Sequence, residues 1–285
     1  MTVREILRGF PRAPSHGRPG DSGLFEPASV AWKVNGEVAM LAGGGRSLLL
    51  QIAHPSVAAA VAEHSDFPAD PYARLWRTLE TMLDVTFGDA ERSSAAAGRV
   101  NALHRTITGA SYSATDPELL LWVHATLVDS ALLVYERLVG PLRTEEREAY
   151  HTEMREQAGL FGVPEELLPK DLGSFRRYVE DTIGHLEITG EARELAADIV
   201  SPPVPLALVP AARTFEVLTI GLLPERIREG YGFEWGPVQR ASFTAARATI
   251  RSVVPLLPAV LRRWPHAREA ERRVRSDGDP VEYRA

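Results

Sequence analysis

The chain has 285 residues, 45% of them hydrophobic and 25% charged, a formal charge of −6 and no cysteine. That length sits at the upper end of what one hydrophobic core can fill, and the composition is that of a globular domain, not a disordered, collagenous or disulfide-built chain. The missing cysteines exclude disulfides, thiolate metal sites and cysteine nucleophiles, and the acidic balance leaves no basic field to draw the protein onto nucleic acid.

Residues Met1 to Phe10 are charged and amphipathic and lack the apolar stretch of a secretory signal. No run reaches the roughly 18 to 20 uninterrupted apolar residues that span a bilayer, so the expectation is a cytoplasmic protein without a membrane span. Phe10 to Pro27 is rich in Pro, Gly, Ser and Arg, which predicts an irregular arm over 1–28, a helical domain over 29–273 and a frayed tail over 274–285.

Helical periodicity begins at Ser29. Val30–Val34 leads through Gly36 to Val38–Ala42, the run Gly43–Gly45 reads as a break, and Arg46–His54 is an apolar helix stopped by Pro55. Ser56–His64 follows, and Phe67–Pro71 is a turn with Asp70 as N-cap and Pro71 in the first helical position. The spacing then predicts helices over 71–86, 91–108, 116–139, 144–161, 171–188, 190–199, 206–222, 237–255 and 258–273, with no alternating run to compete and no fixed-period repeat. The fold class is all-α: one multi-helix domain enclosing an apolar cofactor pocket.

Two histidines fall on apolar helical stripes. His104 is in register with Val100, Leu103 and Ile107, and His124 with Leu120, Leu127 and Val128. Each is either a core histidine bonded to a neighbouring carbonyl or a ligand to a metal or haem iron, and spacing alone leaves both readings open. His54 reads as a cap on its own helix and His185 is ambiguous, while His16, His64, His151 and His266 sit among polar or loop residues and are expected in solvent. Arg74, Arg77, Thr78 and Thr81 occupy neighbouring faces of one helix, forming either a solvated face paired to Glu80 and Asp84 or a polar lid that anchors cofactor carboxylates. Hydrolase elbows, P-loops, dinucleotide fingerprints, zinc-protease motifs and doubled di-iron ligand sets are absent.

The order of Leu48–Pro55, Glu63–Phe67, Arg74–Thr78 with Phe87-Gly88, Val100–His104 and Pro117–Leu127 resembles the haem-b rubber oxygenases (latex-clearing proteins) and the MpaB-type oxygenases, over about residues 30 to 230. The resemblance implies a non-covalent haem b with His104 as its axial ligand, and Arg74 and Thr78 near the opposite face. It also implies Glu63 as a base; Arg77, from the polar face of its helix, and His124, from its apolar stripe, complete the candidate cofactor-binding residues. The implied activity is O2 insertion into, or oxidative cleavage of, a C=C bond in a small apolar or isoprenoid-like substrate; a helical lipid- or haem-binding protein and a haem peroxidase or peroxygenase are the alternatives. The chain departs from that pattern in three places. Arg77 stands where rubber-cleaving members carry an iron-ligating lysine, and an arginine stays protonated and cannot ligate; Asn101 and Thr108 stand where members carry basic residues; and polymeric rubber is a poor substrate for a chain without an export signal.

Overall fold

Prolines at first-turn positions and acidic or hydroxyl caps punctuate the chain into helices, and the apolar stripes between them set the packing. The computed structural model describes residue 3 and residues 10–12, 17–64 and 71–275, without the side chains of 71–74. The Asp70 cap, His16 and the Arg74 side chain therefore lie outside the described residues. Among the described residues there are fourteen α-helices and no strand. They are α1 (Val30–Asn35), α2 (Leu41–Ile52), α3 (Pro55–His64), α4 (Pro71–Phe87), α5 (Ala90–His104), α6 (Pro117–Val134), α7 (Thr144–Leu160), α8 (Leu172–His185), α9 (Gly190–Val200), α10 (Val209–Leu222), α11 (Glu225–Gly230), α12 (Pro237–Val253), α13 (Ala259–Arg262) and α14 (Pro265–Arg275).

Helix α6 is the axis of the fold. Asp116 caps it by accepting the Glu118 N–H at 2.9 Å, Pro117 occupies its first turn, and a π-helical turn, Tyr135–Val139, extends it. It packs against α1, α2, α7 and α8. Buried aromatic rings keep their polar ends satisfied: Trp122 Nε1 donates to Leu50 O at 3.2 Å, Tyr231 Oη to Leu49 O at 2.6 Å, and Trp32 Nε1 to Thr86 O at 3.1 Å. With its π-helical extension this helix is long and apolar enough to cross a membrane, but 56% of its most apolar window is buried inside the protein.

The glycine run does not break a helix. Gly43–Gly45 lie inside α2, where a Cβ on Gly45 would overlap Thr219 and Phe215 of α10, and one on Gly43 would press on Val134. The glycines let three helices close together, and that packing outweighs their low helix propensity. Directly after them, Arg46 is 4% exposed and holds Asp129 Oδ2 at 2.6 Å, Ser130 Oγ at 2.7 Å and Leu222 O at 2.9 Å, joining α2, α6 and α10.

Several predicted boundaries move. The helix predicted over 91–108 ends at His104, because Thr106, Thr108 and Gly109 favour a turn, in which Ile107 N donates to His104 O. Pro55 starts α3, while α2 has already ended at Ile52. The helix predicted over 258–273 is two, split at Arg263-Trp264 ahead of Pro265, where Trp264 N donates to Gly36 O and the backbones of Arg263 and Glu37 pair as an isolated antiparallel bridge.

Candidate active site

Helices α4 and α5 form a hairpin about Gly88-Asp89. Ser93 Oγ donates to Val85 O at 2.9 Å and Arg92 Nε to Asp84 Oδ1 at 2.8 Å, which sets their register. The two helices pack against each other, and α5 runs from this hinge to His104 at its far end.

His104 closes α5 with a half-buried ring whose Nδ1 is buried and has no hydrogen-bond partner. Burial holds its pKa below the ordinary imidazole value, so the ring is neutral at pH 7. It is not wedged in a leucine core. Leu103, predicted on the buried stripe, is 58% exposed, because the helix turns its apolar alanines Ala96 and Ala97 inward and leaves its last turn at the edge.

The turn after His104 is clamped to the end of α3. Tyr112 Oη donates to Glu63 Oε2 at 2.5 Å, His64 Nε2 lies 3.2 Å from Thr108 O, and the Tyr112 and His64 rings meet edge to face at 6.2 Å. Thr108 and Ser113 pair as an isolated bridge, and a Cβ on Gly109 would collide with the Tyr112 ring. The last turn of α3, with Glu63, is so tied to the turn that follows His104. Tyr112 was not singled out from the sequence; the signal was available as one aromatic residue in the small-residue run Gly109–Ser113.

On α4, Arg77 and Thr78 are exposed, and Thr81 Oγ1 donates to Arg77 O at 2.9 Å. Asp84 is not their partner: it is buried and paired with Arg92, with Arg99 at 3.6 Å and with His266 at 3.8 Å. His124 is a core histidine. It is fully buried beside His151, Met154 and Phe175 around a void of about 10 Å³, room for one water at most, and is bonded to the Met154 backbone. That is the bonded core setting described by the first of its two readings. His151 and His266, expected in solvent, are 3% and 2% exposed, because each sits on the inward stripe of an amphipathic helix rich in charges elsewhere. His185 is exposed, with Nδ1 2.7 Å from Asp181 O, and His54 Nδ1 accepts the Ser56 N–H at 3.3 Å.

The model of the ER-bound oxygenase mpaB/B'/rubber oxygenase catalytic domain matches residues 32–252. The chain belongs to this family. Two relatives, uncharacterised proteins of Mycobacterium bovis and Mycobacterium tuberculosis, are each 29% identical over 227 residues, covering 74% of this chain and 88% of theirs. No solved structure matches it significantly. As a member of the MpaB/rubber oxygenase family, the domain is of oxygenase type, an oxidoreductase with a substrate and O2 as its reactants.

Its candidate site fits a haem in donor chemistry. A neutral imidazole with an orphaned buried nitrogen gains a partner by ligation, where leaving that nitrogen unsatisfied costs about 1–3 kcal/mol. An exposed guanidinium, Arg77, stands on the neighbouring helix and suits a carboxylate.

Proposed function

We propose that the protein is a haem-b oxygenase that inserts oxygen into, or oxidatively cleaves, a C=C bond of a small apolar or isoprenoid-like substrate. The observation that carries this reading is the placement of His104, with its unpartnered Nδ1, at the end of α5, just ahead of the turn that Tyr112 ties to Glu63. His104 would hold the haem, and Arg77 a haem carboxylate. When bound, the haem supplies the redox chemistry with O2.

The chain's own groups supply position and proton handling. Thr78 offers an exposed hydroxyl on α4 to orient a water or a substrate oxygen, a role in which the family resemblance would join Arg74 to it. Glu63 is the base: the Tyr112 hydroxyl occupies Oε2, which leaves Oε1 to take a proton from the substrate.

An absorption spectrum of the purified protein tests this reading. We expect a Soret band that shifts when CO follows dithionite, and a folded, haem-free protein from His104→Ala. His124→Ala should keep haem while losing roughly 2–4 kcal/mol of stability as a core truncation. A colourless protein that takes up no haem, or a His104→Ala variant with an unchanged spectrum, would overturn the assignment.

A further inference from the structure

A cleft of about 500 Å³ opens between the N-terminal ends of α3 and α6 and the side of α8, within the roughly 300–1,000 Å³ typical of small-molecule sites. Its apolar wall is built by Leu119, Leu121, Trp122 and Leu167, and its polar edge by His54, Asp116 and Glu118. Among the described residues no lysine or arginine lines it.

Helix N-termini attract anions, but this one is closed to them. Asp116 itself caps α6, accepting the Glu118 N–H at 2.9 Å, and Pro117 has no N–H to offer. The second Asp116 oxygen remains as an acceptor. His54 supplies the complementary donor: its Nδ1 accepts the Ser56 N–H, which places the ring proton on Nε2, and burial keeps the ring neutral. The edge thus pairs an N–H donor with a carboxylate acceptor, which suits a hydroxyl, and its two acidic side chains repel a carboxylate or phosphate.

The cleft adjoins the candidate active site. Ser56 lies in the first turn of α3, whose last turn carries Glu63 about 10 Å further along at 1.5 Å per residue, and Ser111 in the lining precedes Tyr112. A body about 10 Å long matches the axial distance from Ser56 to Glu63 along α3.

We propose that this cleft binds the polar end of the substrate, and that the substrate is an apolar molecule ending in a neutral hydroxyl. The proposal rests on the oxygenase reading for its role, but not for its test. The full chain as purified is titrated calorimetrically with 1-decanol and with decanoate near neutral pH. We expect decanol to bind at least about tenfold more tightly, a difference of roughly 1.4 kcal/mol. Asp116→Asn combined with Glu118→Gln should bring the two ligands within about threefold, because asparagine keeps the cap while removing the charge. Ser111→Trp, which fills the cleft from an exposed turn position, should abolish decanol binding. Decanoate binding as tightly as decanol, no heat with decanol, or decanol binding unchanged in Ser111→Trp would each overturn the proposal. The spectrum of the same sample reports separately on haem, so a failed cleft and a failed oxygenase assignment give different results.

Discussion

The hydroxyl of Tyr112 and the carboxylate of Glu63 share a 2.5 Å hydrogen bond that ties the turn after α5 to the last turn of α3. Burial, reinforced by the neighbouring carboxylate, pushes the Tyr112 hydroxyl up to about 12, so it stays a donor throughout the neutral range. If Glu63 is the base, Glu63→Gln lowers kcat about 100-fold, in the range for loss of a positioned proton acceptor. Tyr112→Phe, which frees the carboxylate without removing it, lowers kcat about tenfold and speeds amide exchange over 105–114. Both variants should keep the haem spectrum. Steady-state rates unchanged in both would remove the pair from the reaction.

Arg46 is a structural charge, and its environment predicts an asymmetry between two substitutions. Removing Asp129 leaves a buried guanidinium with only Ser130 Oγ and Leu222 O as partners, so Asp129→Ala should cost about 3 kcal/mol in urea unfolding. Replacing the charge as well, in the double variant Arg46→Met with Asp129→Ala, should recover part of that loss, since an apolar side chain of similar length needs no partner. A double variant less stable than Asp129→Ala would show that the three helices depend on the ion pair itself.

Helix content was legible in the chain because proline, capping residues and apolar spacing act locally, and α4, α7 and α9 end within a residue or two of their predicted limits. What escaped depends on distant packing. Gly43–Gly45 look like a break until Thr219 and Phe215 are seen filling the space a side chain would need. His151 and His266 sit among charged neighbours in sequence, yet an amphipathic helix needs only one inward position per turn to bury them. The same geometry separates His104 from His124, which spacing alone left equivalent: one ends its helix at an edge, the other lies at the centre of the core. Tyr112 became visible only through the turn that replaced the last part of the predicted 91–108 helix.

The buried histidines set the acid limit of the fold. Burial is the main cause that holds both His124 and His266 down to about 4, below the ordinary value near 6.5 expected in the unfolded chain. As pH falls through 6.5, the unfolded chain binds protons that the folded protein refuses, so their contribution is complete above 6.5 and is lost on the way to 4. By pH 4.5 each has given up about 2–3 kcal/mol, and His54, His104 and His151, also held low by burial, act in the same direction. The carboxylate of Glu146, held at about 2 chiefly by its hydrogen bond from Lys33, contributes only below about pH 4.5, where free glutamates protonate; Glu37 and Glu153, raised by burial, act in the opposite direction above it, and the five histidines outnumber them in the window from 6.5 to 4.5. Denaturant unfolding at several pH values across that window should give a stability that falls steadily with acid, and His266→Asn should make the slope shallower. A stability independent of pH between 6.5 and 4.5 would mean that these rings are protonated in the folded protein and hence are not packed as described.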